Sequence, residues 1–293
     1  MTGDTLIQLA KTRPVLSDGA MGTMLQEFGL QAGGCPELWN VEKPEAVRAV
    51  HAAYIEAGSR MISTNTFGGS RLKLAAYGLA DRAAELNTAG AAIAREAAGA
   101  DNFVAGSVGP TGEFLEPLGD LAFEEAADIF AEQAQALASG GADIILLETF
   151  SDLQEAKAAL EGALRSGLPC FCTFAFDTGG RTMMGLGPVE AAVELSNAGA
   201  AGVGANCGVG PKQTLDTIAQ IRNATRGIVI AQPNAGLPKV VQGRTTYDST
   251  PEEMADFAIK SAQLGVNIIG ACCGSTPQHI RAMAAAIESF HTG

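Results

Sequence analysis

Only three histidines occur in the 293 residues, and basic side chains are outnumbered, 19 Lys plus Arg against 32 Asp plus Glu. No run of about 18 uncharged apolar residues is present, which excludes a membrane-spanning helix by length alone. The segment from Met1 to Pro14 also lacks the apolar centre of a secretory signal, so the expectation is a soluble, cytoplasmic chain with no membrane partner. A formal charge of −13 is the wrong sign for a phosphate backbone and argues against nucleic acid. His51 and His279 fall inside helix candidates and His291 in the tail, so no histidine ends a strand. A G-x-G-x-x-G turn is missing as well. The first strand candidate runs instead into Asp18-Gly19-Ala20-Met21-Gly22-Thr23, which argues against a dinucleotide-binding sheet.

What the chain does have is 47% hydrophobic residues and 36 glycines set in short runs between apolar segments. That is enough apolar material for a sizeable core, and the length suits one large domain over residues 1–293. Short β-branched runs alternate with longer Ala-rich segments of helical period. Eight strands are expected, at Val15 to Ser17, Arg60 to Thr64, Phe103 to Ser107, Asp143 to Glu148, Pro169 to Phe174, Gly202 to Asn206, Ile228 to Gln232 and Asn267 to Ala271. The helices that follow them are expected at Pro44 to Ala57, Arg82 to Ala98, Phe123 to Ser139, Leu153 to Ser166, Val189 to Ala198, Pro211 to Thr225, Pro251 to Leu264 and Pro277 to Phe290. Thr250 before Pro251-Glu252-Glu253 reads as an N-cap, and Gly58, Gly140, Gly167 and Gly265 fall where helices should end. Eight βα units with continuous apolar strands favour an α/β fold of the closed (β/α)8 TIM-barrel type in a single domain, over an open doubly wound sheet.

In such a barrel, active sites lie at the C-terminal ends of the strands. Asp18, Thr64-Asn65-Thr66, Ser107, Glu148-Thr149, Asn206-Cys207, Asn234 and Cys272-Cys273 all fall there. Three cysteines from two strands suit a thiolate-bound metal with one position left for an exchangeable ligand, and sulfur ligation favours zinc over magnesium or calcium. Adjacent cysteines can share an ion only where the strand has ended and the backbone bends, which Gly274 would allow. Small buried thiols are an equally good account of the same spacing, since the gap from Cys207 to Cys272 fits no zinc-finger pattern. Cys170 and Cys172 fall on one face of an apolar strand and read as core residues, while Cys35 reads as a free thiol in a loop. Asp18 and Glu148 are carboxylates at the ends of apolar strands and each needs a cation, either from the chain or from a ligand ammonium. The turn after Asp18 offers backbone N–H groups to a carboxylate. Trp39, between the first strand and its helix, is either a packing residue or a lid over the mouth.

These segments resemble the homocysteine-binding domain of homocysteine S-methyltransferases. The likeness rests on Asp18-Gly19-Ala20-Met21-Gly22-Thr23, Thr64-Asn65-Thr66-Phe67, Gly106-Ser107-Val108-Gly109-Pro110, Glu148-Thr149, Gly204-Ala205-Asn206-Cys207, Pro233-Asn234-Ala235-Gly236 and Gly270-Ala271-Cys272-Cys273-Gly274. It spans nearly the whole chain. It implies a (β/α)8 barrel with Zn2+ held by Cys207, Cys272 and Cys273 and the homocysteine thiolate in the fourth position, where Asn234 would rest beforehand. It also implies that Asp18 and Glu148 hold the substrate amino group, that the backbone at Gly19 and Ala20 receives its carboxylate, and that Ser107 belongs to the same substrate site. The reaction implied is methyl transfer to the thiolate, giving methionine. Zinc removes the thiol proton, so no general base is required of the protein.

The family divides by methyl donor. The chain has no room for the folate, cobalamin and reactivation domains of full-length cobalamin-dependent methionine synthase, so methylcobalamin would come on a separate corrinoid protein, and this is the donor expected here. Betaine is the alternative, with Trp39 as one wall of an aromatic cage, although the segments Phe67-Gly68-Gly69 and Glu148-Thr149-Phe150 lack the tyrosines of the animal betaine enzyme. The segments Leu38 to Val41, Gly109 to Glu113 and Phe176 to Gly185 point the other way, toward bacterial chains labelled as betaine enzymes. S-methylmethionine or S-adenosylmethionine is a third alternative. A reading of another class, a non-catalytic zinc or corrinoid-protein docking module, is disfavoured because no expected ligand is lost.

Overall fold

The computed structural model describes residues 1–292 apart from 178, 242 and 243, so Thr178 of the Phe176 to Gly185 segment and Gly293 lie outside the described residues. The barrel strands are β1 (Val15–Leu16), β2 (Met61–Ser63), β3 (Phe103–Val108), β4 (Ile144–Phe150), β5 (Cys170–Phe174), β6 (Gly202–Cys207), β7 (Ile228–Pro233) and β10 (Ile268–Ile269). Between β7 and β10 the chain forms an antiparallel hairpin of β8 (Lys239–Val241) and β9 (Arg244–Thr246). The eight parallel strands hydrogen-bond in the order β1-β10-β7-β6-β5-β4-β3-β2. The two ends of that order meet. Ser17 bridges Met61 in parallel, and the Arg60 N–H donates to the Leu16 carbonyl at 2.8 Å, which closes the barrel.

The helices are α1 (Gly3–Thr12), α2 (Met21–Glu27), α3 (Trp39–Glu42), α4 (Pro44–Glu56), α5 (Arg71–Ala75), α6 (Ala83–Ala98), α7 (Phe123–Ser139), α8 (Leu153–Leu164), α9 (Pro188–Asn197), α10 (Pro211–Ala224), α11 (Pro251–Gln263) and α12 (Pro277–Thr292). All eight expected helices are present within two residues at each end, α12 taking in His291. Thr250 caps α11 in a reciprocal capping box with Glu253, as the Thr-Pro-Glu-Glu sequence foretells. After α7 the left-handed residue is Gly141, at φ 102°, one position beyond the expected Gly140.

The strands β1 and β10 are shorter than their apolar runs suggest. Beyond Leu16 and Ile269 the chain keeps hydrogen bonds to its neighbours, Ala271 N–H to Asp18 O at 3.0 Å and Cys272 N–H to Pro233 O at 2.8 Å, while leaving the regular ladder. That departure frees both segments to turn into the mouth.

Four short helices and the hairpin were not expected from periodicity. Of these, α1 plugs the barrel. Its Leu6 and Ala10 pack against Met61, Phe103, Ile144, Phe171, Ile230 and Ile268, the inward side chains of the strands, and so cover the N-terminal end. The Asn267 side chain holds α1 there by donating to Ala10 O at 2.9 Å. The larger apolar layer lies between strands and outer helices, where Cys170 and Cys172 are fully buried, as expected.

Candidate active site

At the C-terminal mouth a cavity of about 440 Å³ is lined by Asp18, Ser63, Ser107, Glu148, Cys207 and Cys273, among others. A larger cavity, about 700 Å³, opens at the opposite end beside Leu9, Arg13 and Arg60. Among the described residues the thiol cluster belongs to the mouth, and position follows chemistry rather than volume.

The Sγ atoms of Cys207, Cys272 and Cys273 lie within 4.8 Å of one another, and Cys207 and Cys273 are 4.0 Å apart. Zn–S bonds of about 2.3 Å at tetrahedral angles require S···S separations of about 3.8 Å, so the triad fits a tetrahedral thiophilic cation with little adjustment. Backbone geometry brings this about. Cys207 has φ 55° and Gly208 φ 64°, and the Val209 N–H donates to Cys207 O at 2.7 Å, making a tight turn at the end of β6. A Cβ on Gly208 would stand 2.2 Å from Phe176 O, so only glycine fits. On the other side Ser275 N–H donates to Cys272 O at 3.2 Å with Gly274 at φ 79°, a turn that points both neighbouring thiols the same way.

Hydrogen bonds from Cys272 and Cys273 pull the pKa of the Cys207 thiol down, whereas the Cys272 thiol is pushed up by donating to Cys207. Asn234 faces Cys207 as well, and its Oδ1 is buried with no hydrogen-bond partner. Among the described residues this acceptor has no partner, and it is an oxygen of the kind a fourth metal position takes.

Two carboxylates line the same cavity. Asp18 is buried and accepts from Ser63 N–H at 2.7 Å, Ser63 Oγ at 3.1 Å and Ser17 Oγ at 3.2 Å. Burial nevertheless prevails over these bonds and raises it to about 7. Glu148 accepts a short hydrogen bond from Ser107 and a 3.3 Å one from Asn206, and burial raises it to about 7. Neither carboxylate has a salt-bridge partner among the described residues. The two carboxylates thus face one cavity with no cation of the chain among the described residues to balance them.

The backbone of Gly19 and Ala20 is at the cavity wall, but the Ala20 N–H donates to Ser275 Oγ at 3.0 Å, so a ligand carboxylate would have to share it. A Cβ on Gly19 would meet that same Ser275 Oγ at 2.4 Å. Asn206 ties β6 to β4: its Oδ1 accepts from Thr149 N–H at 2.8 Å and its Nδ2 donates to Thr149 Oγ1 at 2.7 Å. This clamp holds Thr149 at φ 66°, a conformation a β-branched residue rarely adopts, next to Glu148.

Eight of the nine residues named from the sequence line this one cavity, and the ninth, Asn234, stands against Cys207. Trp39 does not join them. It is buried on α3 with Lys43 Nζ 4.0 Å from its ring centroid, a packing position rather than a lid. Sequence reasoning missed Ser63, Tyr54, Ser275 and Tyr247. Ser63 lies inside the expected second strand, one residue before Thr64, and Ser275 directly follows the Cys272-Cys273-Gly274 turn, so both stood next to segments already singled out. Tyr54, whose hydroxyl donates to Ala20 O and Ser275 O, lies inside a helix and gives no such signal. Tyr247 reaches the thiols only through the hairpin.

A closed (β/α)8 barrel whose mouth gathers three thiols and two buried carboxylates has the build of a barrel enzyme with a metal-assisted thiol site. A family model described as homocysteine S-methyltransferase matches residues 15–287, and the chain belongs to that family. It is 34% identical over 309 aligned positions to methionine synthase of Mycobacterium leprae, and 35% over 304 to that of Mycobacterium tuberculosis, covering 98% and 97% of this chain. It spans about a quarter of the length of those relatives, 25% in each case. Among solved structures, the homocysteine methyltransferase MmuM of Escherichia coli in its oxidised form superposes with a TM-score of 0.76 at 25% identity, over 93% of this chain and 95% of that one. The metallated form of MmuM has the same fold, with a TM-score of 0.78 at 24% identity over 95% and 98% of the two chains.

Proposed function

We propose that this barrel transfers a methyl group to the sulfur of homocysteine at a Zn2+ held by Cys207, Cys272 and Cys273, giving methionine. The observation that carries the reading is that one cavity is lined both by a three-thiol cluster and by two carboxylates that lack a cation among the described residues. Zinc bound there supplies a Lewis acid that removes the thiol proton and holds the sulfur as a nucleophilic thiolate.

The chain's own residues do the rest. Asp18 and Glu148 bind the α-ammonium and fix the amino acid so that its side chain extends toward the thiols. Ser107 and Asn206 orient Glu148, and Ser63 orients Asp18. Gly19 offers its N–H to the carboxylate. Asn234, whose Oδ1 has no hydrogen-bond partner among the described residues, would hold the remaining metal position before the substrate sulfur arrives. In the transfer an S–CH3 bond forms as the donor–CH3 bond breaks, its electron pair leaving with the donor.

For the donor, the rim supports a methyl group presented by a corrinoid protein. Phe67, Phe114, Leu118, Met183, Met184 and Leu237, on loops after β2, β3, β5 and β7, are all exposed, Met183 by 89%. Phe67 lines the thiol cavity and Phe114, Leu118, Met183 and Met184 line a second one, and exposed apolar side chains on loops at the C-terminal ends of the strands suit a protein surface better than a small polar donor. Betaine is the weaker reading, because Trp39 is absent from the cavity wall.

The test is a methionine-forming assay of zinc-loaded protein with homocysteine, offered methylcobalamin, betaine, S-methylmethionine or S-adenosylmethionine separately. Turnover with methylcobalamin that Cys207→Ala abolishes is the expected result. Turnover with betaine or a sulfonium donor alone would replace the donor assignment. Zinc-loaded protein that is silent with all four, even when a corrinoid protein is added, would overturn the acceptor assignment as well.

A further inference from the structure

Between β7 and α11 the chain makes an excursion, Ala235 to Thr250, that contains the hairpin and returns to the thiol cluster. Its two ends are pinned together, Ser249 N–H donating to Ala235 O at 2.9 Å, and Ala235 N–H donating to the Cys273 carbonyl at 2.9 Å. His279 on α12 lies 2.9 Å from Ser249 O through Nε2 and holds the return strand down. The residue delivered by this return is Tyr247. Its ring lies against the backbone of Gly274, where a Cβ would stand 2.1 Å from the ring's Cγ, and its phenol faces the neighbouring Cys273 thiol.

A metal centre of three thiolates carries surplus negative charge once the divalent cation is subtracted, and a fourth sulfur adds to it. Such charge at a half-buried site needs donors around it. Among the described residues, the groups that act on the three sulfurs are one another, the Gly208 amide, Asn234, Tyr247 and nearby carboxylates, with no Lys or Arg among them. The Gly208 amide and Asn234 face Cys207. Cys273 has the phenol.

Resting on the metal reading above, we infer that Tyr247 is a positioning residue of that centre: its O–H donates to the Cys273 thiolate and withdraws charge from the metal-bound sulfur, while its ring fixes the Cys273-Gly274 turn. The hairpin is then the element that completes the ligand environment. Hydrogen bonds to charged acceptors are the stronger kind, and removing a partner of a metal ligand typically costs 10–100-fold in metal affinity.

The test uses the full chain. Zinc affinity is measured by competition with a chromophoric chelator, and the sulfur-to-metal charge-transfer band is recorded after Co2+ substitution, for the wild type, Tyr247→Phe and Tyr247→Ala. Phe keeps the ring and loses only the hydroxyl. The expected result is at least about tenfold weaker zinc binding in Tyr247→Phe, with the charge-transfer band moved to lower energy because the thiolate lone pair is no longer stabilised. Tyr247→Ala should lose at least as much affinity. If Tyr247→Phe matches the wild type in both readouts while Tyr247→Ala does not, the residue only packs and the inference is overturned. A wild-type chain that takes up no zinc at all would overturn the metal reading itself, an outcome distinct from the first.

Discussion

Cys207 and Cys273 bring their sulfur atoms to 4.0 Å although 66 residues of chain separate them. The first is carried by a tight turn with two successive positive φ values, the second by a turn that hinges on Gly274. Neither thiol meets the other through strand pairing, since β7 lies between β6 and β10.

Zinc binding should therefore stabilise the fold. At a free zinc concentration 100 times Kd, linkage gives about 2.7 kcal/mol. The expected outcome is a rise in thermal midpoint on adding zinc, reversed by a chelator and absent in Cys207→Ala. An equal rise in Cys207→Ala would assign the effect to some other site.

Ligand binding should release protons. Asp18 and Glu148 both rest near pKa 7 in the free site, raised by burial. An ammonium placed between them favours the ionised forms and drives their pKa values down. Amino-acid affinity then increases with pH up to about 7 and levels off above it. Methionine, which has no thiol proton, is the suitable probe: calorimetry in buffers of different ionisation enthalpy should count on the order of one proton released at pH 6 and almost none at pH 8. Buffer-independent heats at pH 6 would remove the ammonium from these carboxylates.

His51 gives a second pH effect. Both of its ring nitrogens are buried without a partner, and burial lowers it to about 4 from 6.5. The unfolded chain takes up a proton below pH 6.5 that the folded chain refuses until about 4, so this residue's contribution is complete above 6.5 and is lost as pH falls through that window. The opposite holds for Asp18 and Glu148, whose raised values favour the ligand-free fold as pH falls below 7. Replacing His51 by Leu isolates the first effect. The variant should gain on the wild type as pH drops, by about 2 kcal/mol at pH 5 relative to pH 7.5, read from denaturant unfolding. A constant difference across pH would contradict it.

Gly208→Ala should damage the centre through the backbone alone. The added methyl would stand 2.2 Å from Phe176 O in a residue at φ 64°. A cost of about 1–3 kcal/mol in stability is expected, with weakened zinc binding because Cys207 is displaced. The two can be separated by chelator competition under conditions where circular dichroism reports a folded variant.

The barrel was legible because its strands are apolar runs and its helices carry Pro and Gly punctuation at their ends. The mouth was legible because polar residues close those runs: Asp18, Glu148, Cys207 and the Cys272-Cys273 pair stand out against what precedes them. Residues that act from a helix or an excursion have no such contrast. Tyr54 sits among apolar neighbours with the same spacing, and Tyr247 is brought in by a hairpin whose return path depends on Ser249 bonding Ala235. The α1 plug was missed for a similar reason, since its role is defined by the inward side chains it covers, and these come from strands far along the chain.

The two vicinal thiols leave the barrel's final strand, β10, and the third leaves β6. During synthesis a nascent chain exposes Cys207 long before it exposes its partners, and a single thiol makes a poor trap for a metal. The cluster comes into being only when the last βα unit docks between β1 and β7 and shuts the ring. Any cation that needs all three thiols can therefore be taken up only after the ring has closed, and a chain arrested short of its final strand lacks the complete cluster.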